Sequence, residues 1–125
     1  MIKKIRFLGS NLDPETYKRF YNITLEGLNN LRGYTKHFRS RVEQKKLPLR
    51  LCESIARGSF KVIEINISNY KADRDIRVII KSNNSYKGYN LLLVISLKDR
   101  VLVTGWKNSV TDKHATLKKE LYVNI

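Results

Sequence analysis

The spacing of apolar residues changes at Gly58, and that change constrains the fold more than any other feature. Before it, Tyr17, Phe20, Tyr21, Leu25, Leu28 and Leu31 recur at three- and four-residue steps, the repeat of one helical face. After it, apolar and polar residues alternate through segments rich in Val and Ile, the repeat of strands. Helices first, then strands joined by hairpin-length connections, predict an α+β fold rather than a parallel α/β one. The expected architecture is a set of N-terminal helices packed on a four- to five-stranded antiparallel sheet.

Local signals place the elements. Ile2, Ile5, Phe7 and Leu8 read as a short opening strand. Asp13-Pro14 starts a helix, with a capping carboxylate and a proline at the first helical position, and Gly33 is expected to end it. Thr35 caps a second helix running to about Lys46, with Phe38 and Val42 on its apolar side. Pro48 begins a third, with Leu49, Leu51, Cys52, Ile55 and Ala56 facing inward and Gly58 as C-cap. Phe60–Ile67, Ile76–Lys81, Asn90–Leu97 and Val101–Lys107 read as strands, the third apolar enough to be central. Lys98-Asp99-Arg100 is a tight turn, 69–75 and 82–88 are polar hairpin connections, and Leu117–Val123 is a candidate last strand. No repeat or linker interrupts this order. The expectation is one domain, 1–125, with its helical section at about 13–58 and its sheet at about 59–123.

The charge is large and uneven. Twenty-five Lys and Arg against 11 Asp and Glu give +14, and residues 32–61 alone hold nine basic groups against Glu43 and Glu53, a net of +7. Solvated helical faces normally mix signs, and this stretch hardly does. A field of that sign concentrates polyanions, nucleic acid first among them. No stretch approaches the roughly 20 apolar residues of a membrane span. The opening Met-Ile-Lys-Lys has no long apolar run behind it, so no secretory leader and no membrane contact are expected. One cysteine, Cys52, excludes an internal disulfide and a multi-cysteine zinc site. A cytoplasmic setting follows as the expectation.

Phosphate-loop, HExxH and paired-cysteine motifs are absent, and the acids are too scattered for a two-metal nuclease. No metal or cofactor is therefore expected. RNA can be cut without metal, because a base can deprotonate its own 2′-hydroxyl for attack on phosphorus while cations stabilise the charge that develops. Histidine suits that base or acid role. The chain has two, His37 and His114. On a helix His37, Ser40, Arg41 and Lys45 share one stripe, where a guanidinium can hold a phosphate beside the imidazole, with Arg39 on another face. The same stripe also reads as a solvated basic helix with an incidental histidine. His114 follows Asp112 in a polar loop. On the strand 101–107, Leu102, Thr104 and Trp106 are expected to share a face, with Val103, Gly105 and Lys107 on the other. Thr104 and Trp106 can line a cleft, hydroxyl on phosphate and indole on a base, or pack as core neighbours. Arg77 and Lys81 share a strand face with Ile79, as sources of positive charge or as snorkelling edge residues.

Helices carrying His and Arg, a Gly-ended helix, and a sheet ending in a Val-Thr-aromatic strand resemble the barnase–EndoU–colicin–RelE superfamily of metal-independent ribonucleases. The stretch from Tyr34-Thr-Lys-His-Phe-Arg-Ser-Arg41 through Ala56-Arg-Gly58 is similar to small toxin domains with a His–x(3)–Arg helix, and to RelE-like phage endoribonucleases. The resemblance covers roughly 33–123. It implies an endoribonuclease, of the kind found as phage or toxin effectors, that leaves a cyclic phosphate. It implies His37 and Arg41 as helix catalytic residues, Arg77 as a sheet cation and Thr104 as the strand hydroxyl. His114 joins them as a catalytic candidate without a firm counterpart. Arg39, Lys45, Lys81, Trp106 and Lys107 are the accompanying RNA contacts. RNA is the expected partner, an acidic antitoxin or immunity protein a second, and the bacterial host cytoplasm the location for a phage-encoded protein. The competing expectation is a non-catalytic basic RNA- or DNA-binding protein.

Overall fold

A computed structural model describes residues 3–70 and 73–111 of the chain. The expected tail strand and His114 lie outside the described residues. Strand β1 (Lys3–Leu8) leads through a 3-10 turn (Gly9–Asn11) into helix α1 (Pro14–Asn29). A two-residue strand β2 (Gly33–Tyr34), helix α2 (Lys36–Lys45) and helix α3 (Leu51–Ala56) follow. Four strands complete the order: β3 (Phe60–Tyr70), β4 (Asp73–Ser82), β5 (Tyr89–Ser96) and β6 (Val101–Ser109).

The sheet is mixed and has six strands in the order β1-β3-β4-β5-β6-β2. The α+β class is as expected; an antiparallel sheet of four or five strands is not what forms. Both edges are additions from the N-terminal section. β1 pairs antiparallel with β3, and β2 pairs parallel with β6. The second pairing also explains why Gly33 does not stop α1. The helix closes earlier, at Asn30, whose side-chain amide donates to the Glu26 carbonyl at 2.8 Å. The chain beyond is drawn to the β6 edge, where the Arg32 N–H donates to the Arg100 carbonyl (2.7 Å) and the Thr35 N–H to that of Leu102 (3.0 Å).

Both expected N-caps form. Asp13 accepts from the Thr16 N–H at 2.9 Å, and Thr35 Oγ1 accepts from the Phe38 N–H at 3.1 Å while donating to the Val103 carbonyl at 2.6 Å. The two Thr16 bonds, backbone first, hold the Asp13 carboxyl below its usual range. α3 is shorter than Pro48 suggests, because residues 47–51 form turns first, and Leu49 ends up exposed rather than facing inward. Gly58 ends α3 with φ +101°, and a Cβ there would crowd the Tyr21 hydroxyl.

The core lies between the helices and one face of the sheet. Ile55 of α3 shares this core with Ile65, Val78, Ile80, Leu91, Leu93 and Ile95, all within 1% of full burial. Burying each such side chain contributes about 1.5–3 kcal/mol, which makes this layer the main source of stability. β5 is the central strand of the apolar run, and its opposite-face residues Leu92, Val94 and Ser96 are buried too. β3 shifts register between Val62 and Glu64, and the Val62 N–H donates to the Tyr17 hydroxyl at 3.0 Å. β5 and β6 shift register as well, Val94 facing Thr104 and Ile95 facing Leu102. Val103 is the extra residue of that bulge, and it reverses the alternation.

Candidate nucleic-acid interface

The bulge at Val103 corrects the expected face of Leu102. That side chain is buried in the helix-side core opposite Ile95, whereas Thr104 and Trp106 lie on the outer face opposite Val94 and Leu92. Gly105 and Lys107 fall on the helix side. On the outer face the registers align Lys61, Lys81, Leu92 and Trp106 in one row and Glu64, Ile79, Val94 and Thr104 in the next. Adjacent strands are about 5 Å apart, so Lys81 and Trp106 are separated by roughly 10 Å across β5.

The structure therefore brings Arg77, Lys81, Thr104 and Trp106 to one surface. Arg77 is already engaged there, donating to Asp75 at 3.2 Å, and Asp75 also accepts from Ser96 Oγ at 2.9 Å. Arg6 is held by the buried Glu64 carboxylate at 2.6 Å. Two of the face's cations are thus partly neutralised before any ligand arrives.

The α2 residues form a separate group. α2 docks on β6 and sends Phe38 into the helix-side core. His37 and Lys45 are exposed, Ser40 and Arg41 half-buried, and Arg39 lines an apolar cavity beside Val42 on another flank. Neither His37 nor Arg41 has a hydrogen bond or ion pair among the described residues. The stripe and the outer-face residues are thus not joined by bonds into one constellation. No group of three metal-ligating side chains occurs among the described residues. Among them, too, no helix is long and apolar enough to cross a membrane.

A tighter constellation sits where only a polar connection was expected. Between β4 and β5 the Tyr86 N–H donates to the Tyr89 carbonyl at 2.8 Å and the Tyr89 N–H returns the bond at 3.0 Å. The residues between them, Lys87 and Gly88, have φ of +51° and +81°, the backbone of a type I′ turn. Directly opposed residues of an antiparallel pair carry their side chains on one face, with Cα atoms about 5.5 Å apart. The turn thus presents two tyrosines side by side. Its base is braced: Ser82 Oγ donates to the Asn84 carbonyl (2.7 Å) and accepts from the Leu91 N–H (2.9 Å), and Asn90 Nδ2 donates to the Ser82 and Asn84 carbonyls.

Three cations surround this pair. The Arg50 guanidinium lies 4.8 Å from the Tyr86 ring centroid and donates to its hydroxyl at 3.3 Å. Lys87 Nζ lies 5.4 Å from the same ring, and Lys107 Nζ lies 4.7 Å from the Tyr89 ring. The Arg50 hydrogen bond, then the Lys87 charge, hold the Tyr86 phenol below its usual range. None of the three cations forms an ion pair among the described residues, so their charges are available to an incoming anion. Aromatic faces flanked by unneutralised cations stack unpaired bases and hold the linking phosphates. Of these residues sequence reasoning had only Lys107. The available signal was the pair of tyrosines flanking Lys-Gly, a turn dipeptide; Arg50 joins only through the tertiary fold.

Comparison with family models, with curated proteins and with solved structures finds no match to this chain.

Proposed function

We propose that this protein binds single-stranded nucleic acid, RNA in the first instance, at the surface centred on Tyr86 and Tyr89. The observation that carries the reading is the braced turn with three unneutralised cations over two tyrosine rings. The +14 charge supplies attraction at a distance, and the rings supply the preference for unpaired bases. The test is fluorescence anisotropy with a labelled single-stranded RNA and with its duplex. Single strands should bind more tightly, and Tyr86→Ala or Tyr89→Ala should weaken them by roughly five- to a hundredfold, the effect of losing one stacked base. Equal affinity for the duplex, unaltered in both variants, would sink the reading.

A second reading is metal-independent RNA cleavage in a barnase–EndoU–colicin–RelE-like fold, with RNA laid from the tyrosines toward α2. What favours it is His37, exposed and unengaged one turn from Arg41. In EDTA, cleavage should persist, and His37→Ala should lower it roughly 100- to 10,000-fold with RNA affinity kept. An RNA that is bound but stays intact leaves the binding function alone. An acidic protein partner such as an antitoxin would compete for the same cations.

A further inference from the structure

Between α1, α2, α3 and the β5–β6 end of the sheet lies a cavity of about 580 Å³ that nucleic-acid binding does not use. Its volume falls within the range of small-molecule sites, roughly 300–1,000 Å³. The walls are apolar, built from Leu28, Phe38, Val42, Ile55, Leu93 and Leu102. Cys52 adds a half-buried thiol whose ionisation burial pushes up, so it stays neutral and does not disturb the apolar lining. Among the described residues, the charged side chains of the lining are Arg39 and Glu43, one helical turn apart on α2. They form no ion pair with each other, and neither has an ion pair elsewhere among the described residues. A guanidinium that forms no ion pair among the described residues, at an apolar site, is a fitting partner for a carboxylate. The stretch 32–61 around it carries a net +7, which favours an anion over a cation.

We infer that this cavity binds a small amphiphile with an apolar chain and an anionic head, the chain among the leucines and the head at Arg39. A medium-chain carboxylate has that chemistry. The inference is independent of the proposed RNA interface, whose tyrosines and cations do not line the cavity.

Cys52 is the one cysteine of the chain and lies in the cavity wall, so its alkylation rate reports occupancy directly. Iodoacetamide labelling of the intact protein is followed by mass spectrometry against increasing decanoate, with decanol as the uncharged comparison. Decanoate should slow labelling and bind about fivefold more tightly than decanol, the scale of an exposed ion pair. Arg39→Gln should remove that difference while leaving decanol binding as it was. Glu43→Gln should tighten decanoate. Ala56→Leu, which adds volume to the cavity wall, should abolish protection by both. Should that variant fail to fold, Leu49→Gln at the exposed rim should weaken both ligands alike. No protection by either compound overturns the inference, as does equal binding of the two by the parent protein. RNA affinity should be unaffected by Ala56→Leu, so a failed cavity and a failed RNA site register in separate assays.

Discussion

Replacing Arg50, Lys87 and Lys107 together with glutamine removes the cations over the two tyrosine rings and leaves the rings. Each phosphate that a single strand gives to a protein cation contributes about −0.7 to the slope of log affinity against log salt. Three such contacts should therefore flatten that slope by about 2. Measured near 0.1 M salt, the same contacts correspond to roughly a hundredfold in affinity, about fivefold for each. The control is a variant with Lys18, Arg19 and Lys98 replaced, exposed residues on α1 and the β5–β6 turn. Both variants lower the formal charge from +14 by three, to +11, so they match in long-range field. Anisotropy titrations of a labelled single-stranded RNA across a salt series compare the two. The cluster variant should lose about 2 units of slope and the control less than about 1. Equal flattening would mean that the charge acts diffusely and that the tyrosine turn does not collect phosphates.

Three further outcomes test the structure itself. Thr35→Ala removes the α2 cap and the bond to the Val103 carbonyl, and should cost about 2 kcal/mol in urea unfolding, about 1 for each, with Thr35→Ser recovering most of it. A Cβ on Gly9 would overlap the Val62 backbone carbonyl, so Gly9→Ala should cost about 3 kcal/mol, the upper end for overpacking, and a loss under about 0.5 would refute that close approach. The Tyr86 phenol should ionise below the ordinary tyrosine range in an alkaline titration followed by phenolate absorbance, and Arg50→Met should move it up. Because the folded value is the lower one, the linked stability is present only above the unfolded ionisation and is lost as pH falls through the folded one. Neutral-pH stability should not register it.

Much of the fold is legible because its signals are local. Asp13 and Thr35 announce their helices by side-chain chemistry alone, and the Val- and Ile-rich alternation after Gly58 marks β3 to β6. β2 escapes because two residues carry no periodicity, and its hydrogen-bonding partners lie near residue 101. The face of Leu102 is misread because one inserted residue, Val103, reverses a strict alternation. The tyrosine turn is the instructive case for function. A loop of Asn, Ser, Lys and Gly reads as polar filler, and the meaning of Tyr86 depends on Arg50, which only the packing of the α2–α3 segment brings near. The α2 stripe is legible as a stripe, yet spacing along one helix says nothing about which strand residues it faces.

Both edge strands of the sheet come from the first 34 residues, while the four strands between them span Phe60 to Ser109. During synthesis at about 5–20 residues per second, roughly 5–20 s separate the emergence of β1 from that of β6. β1 lacks its partner only until β3 is made, whereas β2 waits through the whole interval for β6. The β1 edge can therefore close before the β2 edge has anything to pair with.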